Sequence, residues 1–356
     1  MEIQNADAIV MWGSNARNAH PIFFHHVIKG IDNGARSWTV DPRRTSTAKF
    51  TDTWLGLNVG TDIGLAHGVA REIISAGLTD DEFIRNATTG YEEFVAFVEP
   101  WTLEHTAEVT GVPAEAIRDL AHGYATAPTA QICWTLGITE HHTGVDNVQS
   151  LCNLALLTGH VGRWGSGLVP LRGQNNVQGG GDMGALPNKL SGFQDVEDDE
   201  IRAKFEAAWD CEIPPTNGWN LTQMFEAMER DELKAVYIIG ENPADSEADV
   251  KHARAMLERL DVMVVQDVFM TRTAQMADVV LPAALGWAES DGTATNSERR
   301  VQRMRAAVPP PGQARQEIGI INDLAALMGD DAWGNPTAEE LWEELRTVSP
   351  MHGGMS

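Results

Sequence analysis

The chain has 356 residues, 43% hydrophobic and 22% charged, a globular composition that excludes a disordered or fibrous chain and allows one large core or two ordinary ones. Acidic residues outnumber basic ones 51 to 26, only Lys29, Lys49, Lys189, Lys204, Lys234 and Lys251 are lysines, and the formal net charge is -25. Such a surface argues against nucleic-acid or anionic-membrane partners and suits a halophile's cytoplasm, where salt screens the self-repulsion, although an ordinary acidic protein has the same balance.

From Met1 to Asp7 the chain is expected to enter a strand at once. Asp7–Trp12 is an apolar run of the kind buried in a parallel sheet; Gly13-Ser14-Asn15 is a polar turn, and a helix follows His20-Pro21 through Val27 and Ile28. Ser37–Val40 is the next strand, closed by Asp41. In dinucleotide-binding folds such a first turn meets phosphate and such an acid meets ribose. Yet Gly13-Ser14-Asn15 is not Gly-x-Gly-x-x-Gly, and about 28 residues rather than about 20 separate turn from acid, so the simple NAD fingerprint is not met. Asp41 taken alone serves equally as a helix N-cap or turn residue. The loop Asn58-Val59-Gly60-Thr61-Asp62 offers amides and a carboxylate to a ligand, or an N-cap to a helix over Ile63–Ile74.

Ala130–Glu140, which includes Leu136 and Gly137, is a second strand-turn unit. His141 and His142 invite a metal reading, but adjacent histidines on a strand face opposite ways and no third ligand is spaced to join them, so no metal ligand is expected in this chain. Pro170–Gly184 is dense in amides and glycines behind one cation: Arg172 can hold a carboxylate by two parallel hydrogen bonds, Gly173 lets a ligand approach the backbone, and Gln174 supplies a paired donor and acceptor. A Gly-rich surface loop with an incidental arginine is the plainer alternative.

A second strand-turn-helix-strand series follows: Lys234–Ile239, the turn Gly240-Glu241-Asn242-Pro243, a helix over Asp249–Leu260, and Asp261–Val265 ending in Gln266-Asp267. Met270-Thr271-Arg272-Thr273-Ala274 and the strand Ala277–Pro282 close that sheet, and Glu298–Arg303 reads as a solvated basic edge or a return segment. Strands alternating with helices predict an α/β fold, two Rossmann-like lobes with mostly parallel sheets. Cys133, Cys152 and Cys211 lack Cys-x-x-Cys spacing and read as reduced core thiols, and no apolar run reaches the roughly 20 residues of a membrane span.

As a string, Arg172-Gly-Gln-Asn-Asn-Val-Gln-Gly-x-x-Asp182-Met-Gly resembles the central motif of formate dehydrogenase catalytic subunits, which are molybdopterin oxidoreductases of the dimethyl-sulfoxide-reductase type. The similarity continues in order through Asp41–Thr45, Leu57–Asp62, Leu156–Arg163, Gly240–Pro243, Gln266–Thr271 and Ala277–Pro282. This resemblance implies oxidation of formate to carbon dioxide on a bis-molybdopterin guanine dinucleotide with molybdenum or tungsten. Arg172 would be catalytic, holding formate, and Gln174 would tether the pterin. Gly13, Ser14, Asn15, Asp41, Arg43, Gly60 and Asp62 would meet one guanosine half; Gly240, Glu241, Asn242, Gln266, Asp267 and Thr271 would meet the other. Leu136, Gly137 and Glu140 would line the pterin, with Glu140 standing where relatives often carry Gln.

The resemblance also implies that this is a central part of such a subunit. A [4Fe-4S] domain and the metal's Cys or selenocysteine would precede it, a β-barrel would follow it, and residues 1–356 alone would be catalytically silent. Electrons would leave toward an iron–sulfur or NAD-linked subunit. The lobes are expected at 1–174 and 175–286, with 287–356 returning toward the iron–sulfur domain and ending in a helical stub. A nitrate-reductase-like enzyme, which keeps the flanking blocks but differs at Arg172, and an inactive fragment or scaffold are the alternatives.

Overall fold

The computed structural model describes residues 2–330 and 334–355, and the chain divides into two units, 1–175 and 176–356. The first is built on β1 (Ala8–Trp12), β2 (Arg36–Val40), β3 (Thr53–Leu55), β4 (Ala130–Trp134) and β5 (Gly167–Pro170). Their order is β3-β2-β1-β4-β5 with every neighbouring pair parallel. Helices α1 (Ala16–Ala19) and α2 (Pro21–Asp32) follow β1. Between β3 and β4 come α3 (Asp62–Ser75), α4 (Asp81–Ala87), α5 (Tyr91–Val98), α6 (Leu103–Thr110) and α7 (Ala114–Ala125), and between β4 and β5 come α8 (Leu136–Thr139) and α9 (Gly144–Thr158).

Every residue of β1 is buried, and its period of two divides the core. Ala8, Val10 and Trp12 pack with Leu65, Val69 and Ile73 of α3, Ile117 and Leu120 of α7, and Leu151 and Leu154 of α9; Ile9 and Met11 pack with Phe23, Phe24 and Val27 of α2. A strand covered on both faces needs apolar residues throughout, which is why it reads as an unbroken run. At the amino end of the sheet, Thr129 donates from its backbone N and its Oγ1 to Asp7 Oδ2 at 3.0 and 2.7 Å, and α2 ends at that same edge with Asp32 exposed.

Three expectations in this unit are corrected. Glu2–Asn5 is a turn of 3-10 helix rather than a strand, because Ile3 turns inward to pack with the α2 cluster; Met1 lies outside the described residues. In the strand-turn unit Ala130–Glu140 the strand ends at Trp134, where Thr135 donates its hydroxyl to the Gly13 carbonyl at 2.7 Å, and the expected turn is the short helix α8. His141 and His142 consequently lie in the bend before α9, not on a strand.

The second unit opens with α10 (Val177–Asp182), an antiparallel pair β6 (Lys189–Leu190) and β7 (Gln194–Asp195), then α11 (Asp199–Trp209) and α12 (Leu221–Glu229). Its sheet consists of β8 (Ala235–Ile239), β9 (Val262–Asp267) and β10 (Val279–Pro282), all parallel in the order β10-β9-β8. Helices α13 (Pro243–Ser246) and α14 (Val250–Leu257) connect β8 to β9, and α15 (Arg272–Met276) connects β9 to β10. The helix expected over Asp249–Leu260 is shorter because Asp249 is its cap, accepting from His252 N at 3.0 Å. The basic segment Glu298–Arg303 turns into β12 (Val301–Met304), antiparallel to β11 (Gly292–Thr295), with Arg303 paired to Glu339 at 3.2 Å.

Two last helices follow, α16 (Glu317–Leu327) and α17 (Ala338–Val348); at the latter's start Thr337 and Glu340 form a reciprocal capping box. Ser356, expected in the helical stub, lies outside the described residues. Among the thiols Cys133 is buried and Cys152 half-buried, but Cys211 is exposed and is no core residue, since it follows α11 in a surface turn. Among the described residues no helix is long and apolar enough to cross a membrane.

Candidate functional site

Strand order reverses at β1, with β2 on one side and β4 on the other, so the loops leaving the carboxyl ends of β1 and β4 part there. In doubly wound sheets that point is where ligands sit. A cleft of about 360 Å³ opens at this place. It joins Gly13, Asn15, Asp41, Arg43, Gly60, Asp62 and Gly137, all singled out from the sequence, and adds Pro42, Val59 and His141, which were not read as cleft residues.

The cleft exists because two glycines touch. Gly13 has φ +58°, and a Cβ on Gly137 would stand 2.5 Å from the Gly13 carbonyl oxygen, closer than real side chains approach backbone. The backbones of the first and fourth strand loops therefore meet directly. Gly13 N also donates to Val40 O at 2.9 Å, tying the turn to the end of β2.

The two acids of the cleft differ in their partners. Asp41 Oδ1 accepts from Arg43 N at 2.8 Å, an acid folded over its own turn, which is one of the roles its position allowed. Asp62 occupies the first turn of α3 after a Thr61 cap without a side-chain bond, and its Oδ1 accepts from Trp12 Nε1 at 2.9 Å. Burial pushes both carboxyls above the usual range, against the pull of Arg43 on Asp41 and of the Trp12 hydrogen bond on Asp62. Both are thus carboxyls whose charge is costly until a ligand donor or cation meets them.

The second unit repeats the Gly13 and Asp41 hydrogen bonds, though among the described residues no glycine stands against Gly240. Gly240 N donates to Gln266 O at 2.9 Å, as Gly13 N does to Val40 O. Asp267 Oδ1 accepts from Phe269 N at 3.0 Å, as Asp41 does from Arg43. Asn242 Oδ1 accepts from Thr273 Oγ1 and N at 2.7 and 3.2 Å; Asn15 Oδ1 accepts from Thr47 Oγ1 and N at 3.1 and 3.3 Å. Thr47 and Thr273 were missed in the sequence. Their signal was there, since each stands six residues beyond its acid, after a Gly-x-Asn turn.

Other expected residues are dispersed. Leu136 and Glu140 are exposed on and after α8 and do not line the cleft. Arg172, Gly173 and Gln174 are exposed in the loop leaving β5, and among the described residues the Arg172 guanidinium makes no ion pair or hydrogen bond. Gly240 and Glu241 are exposed, whereas Thr271 caps α15 by accepting from Ala274 N at 3.1 Å. Ser14 Oγ and Gln266 Nε2, at the strand ends, are buried without partners among the described residues. Such orphans are rare unless something absent satisfies them.

Comparison with known proteins identifies the family. The chain is 44% identical to the F420-dependent formate dehydrogenase 2 subunit alpha of Methanococcus maripaludis, over all of the chain and 52% of that protein. It is 40% identical to formate dehydrogenase H of Escherichia coli, over 98% of the chain and 49% of that protein. It therefore spans about half the length of these relatives. Acetylene hydratase from Pelobacter acetylenicus superimposes with a TM-score of 0.75 at 24% identity, over 99% of the chain and 50% of that structure, a likeness of fold. The molybdopterin oxidoreductase family model matches residues 1–327. The chain, with its paired strand-end devices, belongs to the molybdopterin oxidoreductase family, whose cofactor is a molybdopterin carrying molybdenum or tungsten.

Proposed function

We propose that this chain is the central part of a formate dehydrogenase catalytic subunit and oxidises formate to carbon dioxide on a bis-molybdopterin guanine dinucleotide. The observation that carries the reading is Arg172: a permanently charged fork, exposed at the carboxyl end of β5, with no protein partner among the described residues. Formate is a small carboxylate, and such a fork matches it with two parallel hydrogen bonds. Identities of 40% and 44% to formate dehydrogenases support the same substrate.

The donor set fits the cofactor. Arg43 and the glycine backbones of the first cleft suit a pyrophosphate, and Asp41 and Asp62 suit ribose hydroxyls and guanine N–H groups. The matching turn of Gly240, Glu241 and Asn242 with Gln266, Asp267 and Thr271 would take the second guanosine; the orphaned Ser14 Oγ would gain a partner at the first guanosine and Gln266 Nε2 at the second. Gln174, Leu136, Gly137 and Glu140 would face the pterin. When bound, the metal centre supplies the acceptor for the two electrons of the formate C–H bond. Residues 1–174 and 175–286 would be the guanosine-binding lobes and 287–356 the return toward a [4Fe-4S] domain, from which electrons pass to a partner subunit.

Purified holoenzyme containing this chain should reduce a viologen dye with formate and contain molybdenum or tungsten by mass spectrometry. Nitrate reduction without formate oxidation would replace this reading by the nitrate-reductase-like one, and a metal-free protein inactive with both would favour a scaffold.

A further inference from the structure

We infer that His20 is a positioning residue for Arg172, fixing the peptide that carries the formate-binding fork; this rests on the proposed role of Arg172. His20 stands at the corner between α1 and α2. Its N donates to Ala16 O at 2.8 Å and its carbonyl accepts from Phe24 N at 2.9 Å. Pro21 follows at the first position of α2 and restricts His20 to non-helical backbone, at φ -135° and ψ 59°. The root of the imidazole is therefore held on both sides.

From that corner, His20 Nε2 donates to the Arg172 carbonyl, while Nδ1 is buried without a partner among the described residues. A carbonyl only accepts, so Nε2 carries the proton. On the other side of the same residue, Leu171 N donates to Trp134 O at 2.9 Å, and the Leu171 side chain packs against the cluster of Ile9, Met11 and Phe24. The backbone at Arg172 is thus tied at both ends, by β4 before it and by His20 after it. The next residue is Gly173, with open space around its Cα, so without the imidazole the 172–173 peptide plane would be free to swing. His20 fixes the direction in which Arg172 leaves the backbone and leaves the guanidinium open to an anion.

The support also reaches the cleft. α1 begins at Ala16, directly after Asn15, and is capped at its other end by His20, so the wall of the cleft and the support of Arg172 share one short segment. Loss of the imidazole would loosen the fork while the cleft keeps its own bonds through Thr47 and Val40.

The test uses holoenzyme and steady-state kinetics with formate. His20→Ala should raise KM for formate about tenfold, about 1.4 kcal/mol, with unchanged metal content and melting temperature. His20→Gln, whose amide nitrogen reaches as far as Nε2, should restore KM; His20→Asn, whose amide is placed like Nδ1, should not. In an Arg172→Ala background His20→Ala should change KM no further, because no fork remains to be aimed. A tenfold rise in Arg172→Ala but none in His20→Ala or His20→Asn would overturn this inference alone, as would equal losses from His20→Ala in both backgrounds or failure of His20→Gln to restore. An Arg172→Ala enzyme with wild-type kinetics would instead overturn the role of Arg172 itself.

Discussion

Arg163 donates from Nη2 to Nδ1 of His160 at 2.8 Å, while His160 Nε2 donates to the Tyr124 carbonyl at 3.0 Å. Both ring nitrogens are thereby committed in the neutral imidazole: one must carry a proton and the other must not. Arg163 further donates to Gly159 O and Pro128 O, at 3.0 and 2.7 Å, so the block Leu156–Arg163 closes the end of α9 onto the loop before β4. His160 is 1% exposed, and burial, with the Arg163 charge beside it, pushes its pKa from 6.5 to about 4, against the raising pull of the Tyr124 carbonyl and Asp80.

Stability should therefore fall as pH drops through this window. Between pH 6.5 and about 4 the unfolded chain binds a proton at His160 that the folded one does not, so acid favours unfolding, by on the order of 3 kcal/mol once pH is below the folded value. Urea midpoints measured from pH 7.5 to 4.5, as order-of-magnitude bounds of that window, should drop less steeply in His160→Gln than in the parent. Equal slopes would count against a neutral His160.

Arg172→Lys keeps charge and loses the fork. Formate turnover should fall about tenfold to thousandfold, roughly 1.4 to 4 kcal/mol, with unchanged metal content. Full turnover in Arg172→Ala would remove Arg172 from the site.

Gly137→Ala should pry the loops of the first cleft apart. Its Cβ would meet the Gly13 carbonyl oxygen at 2.5 Å, a side-chain carbon against backbone that has no flexible end to move, whereas Gly286→Ala meets nothing within 4 Å. A loss of about 1–3 kcal/mol in urea melts is expected for the first and under about 0.5 for the second. Matching melts for the two variants would mean that the loops separate without cost.

A net charge of -25 should make stability salt-dependent. Melting temperature should climb between about 0.1 M and about 1 M KCl, where the Debye length shrinks from about 10 to about 3 Å. A flat response would speak against self-repulsion as a large term and against the halophilic reading.

The apolar run at Asp7–Trp12 announced its strand because a strand covered on both faces leaves no polar position to confuse the pattern, and Lys234–Ile239 announced its own by the β-branched and aromatic residues Val236, Tyr237, Ile238 and Ile239, although only Ile238 is buried. The stretch Thr135–Glu140 did not announce α8: a single helical turn is too short to display a period of 3.6, and its Thr and Ile residues suit strands. Asp41 and Gly137 could be flagged singly, but their meeting with Gly13 in one cleft depends on β1 lying between β2 and β4, a topology that local composition does not carry. His20 was read only as the residue before a proline, since its partner lies 152 positions away.

The parallel sheet of the first unit also separates the edge that carries the cleft from the opposite one. Asp32 is exposed at the end of α2, on the side where β2 begins, and is removed from Asp41 by the length of a five-residue strand, about 17 Å. An aspartate there sits at a helix C-terminus, where a negative charge is unfavourable, so replacing it sacrifices nothing. With Cys211 changed to Ser to remove the exposed native thiol, Asp32→Cys offers a place for a fluorescent reporter or a surface tether remote from the strand-end cleft and the Arg172 loop.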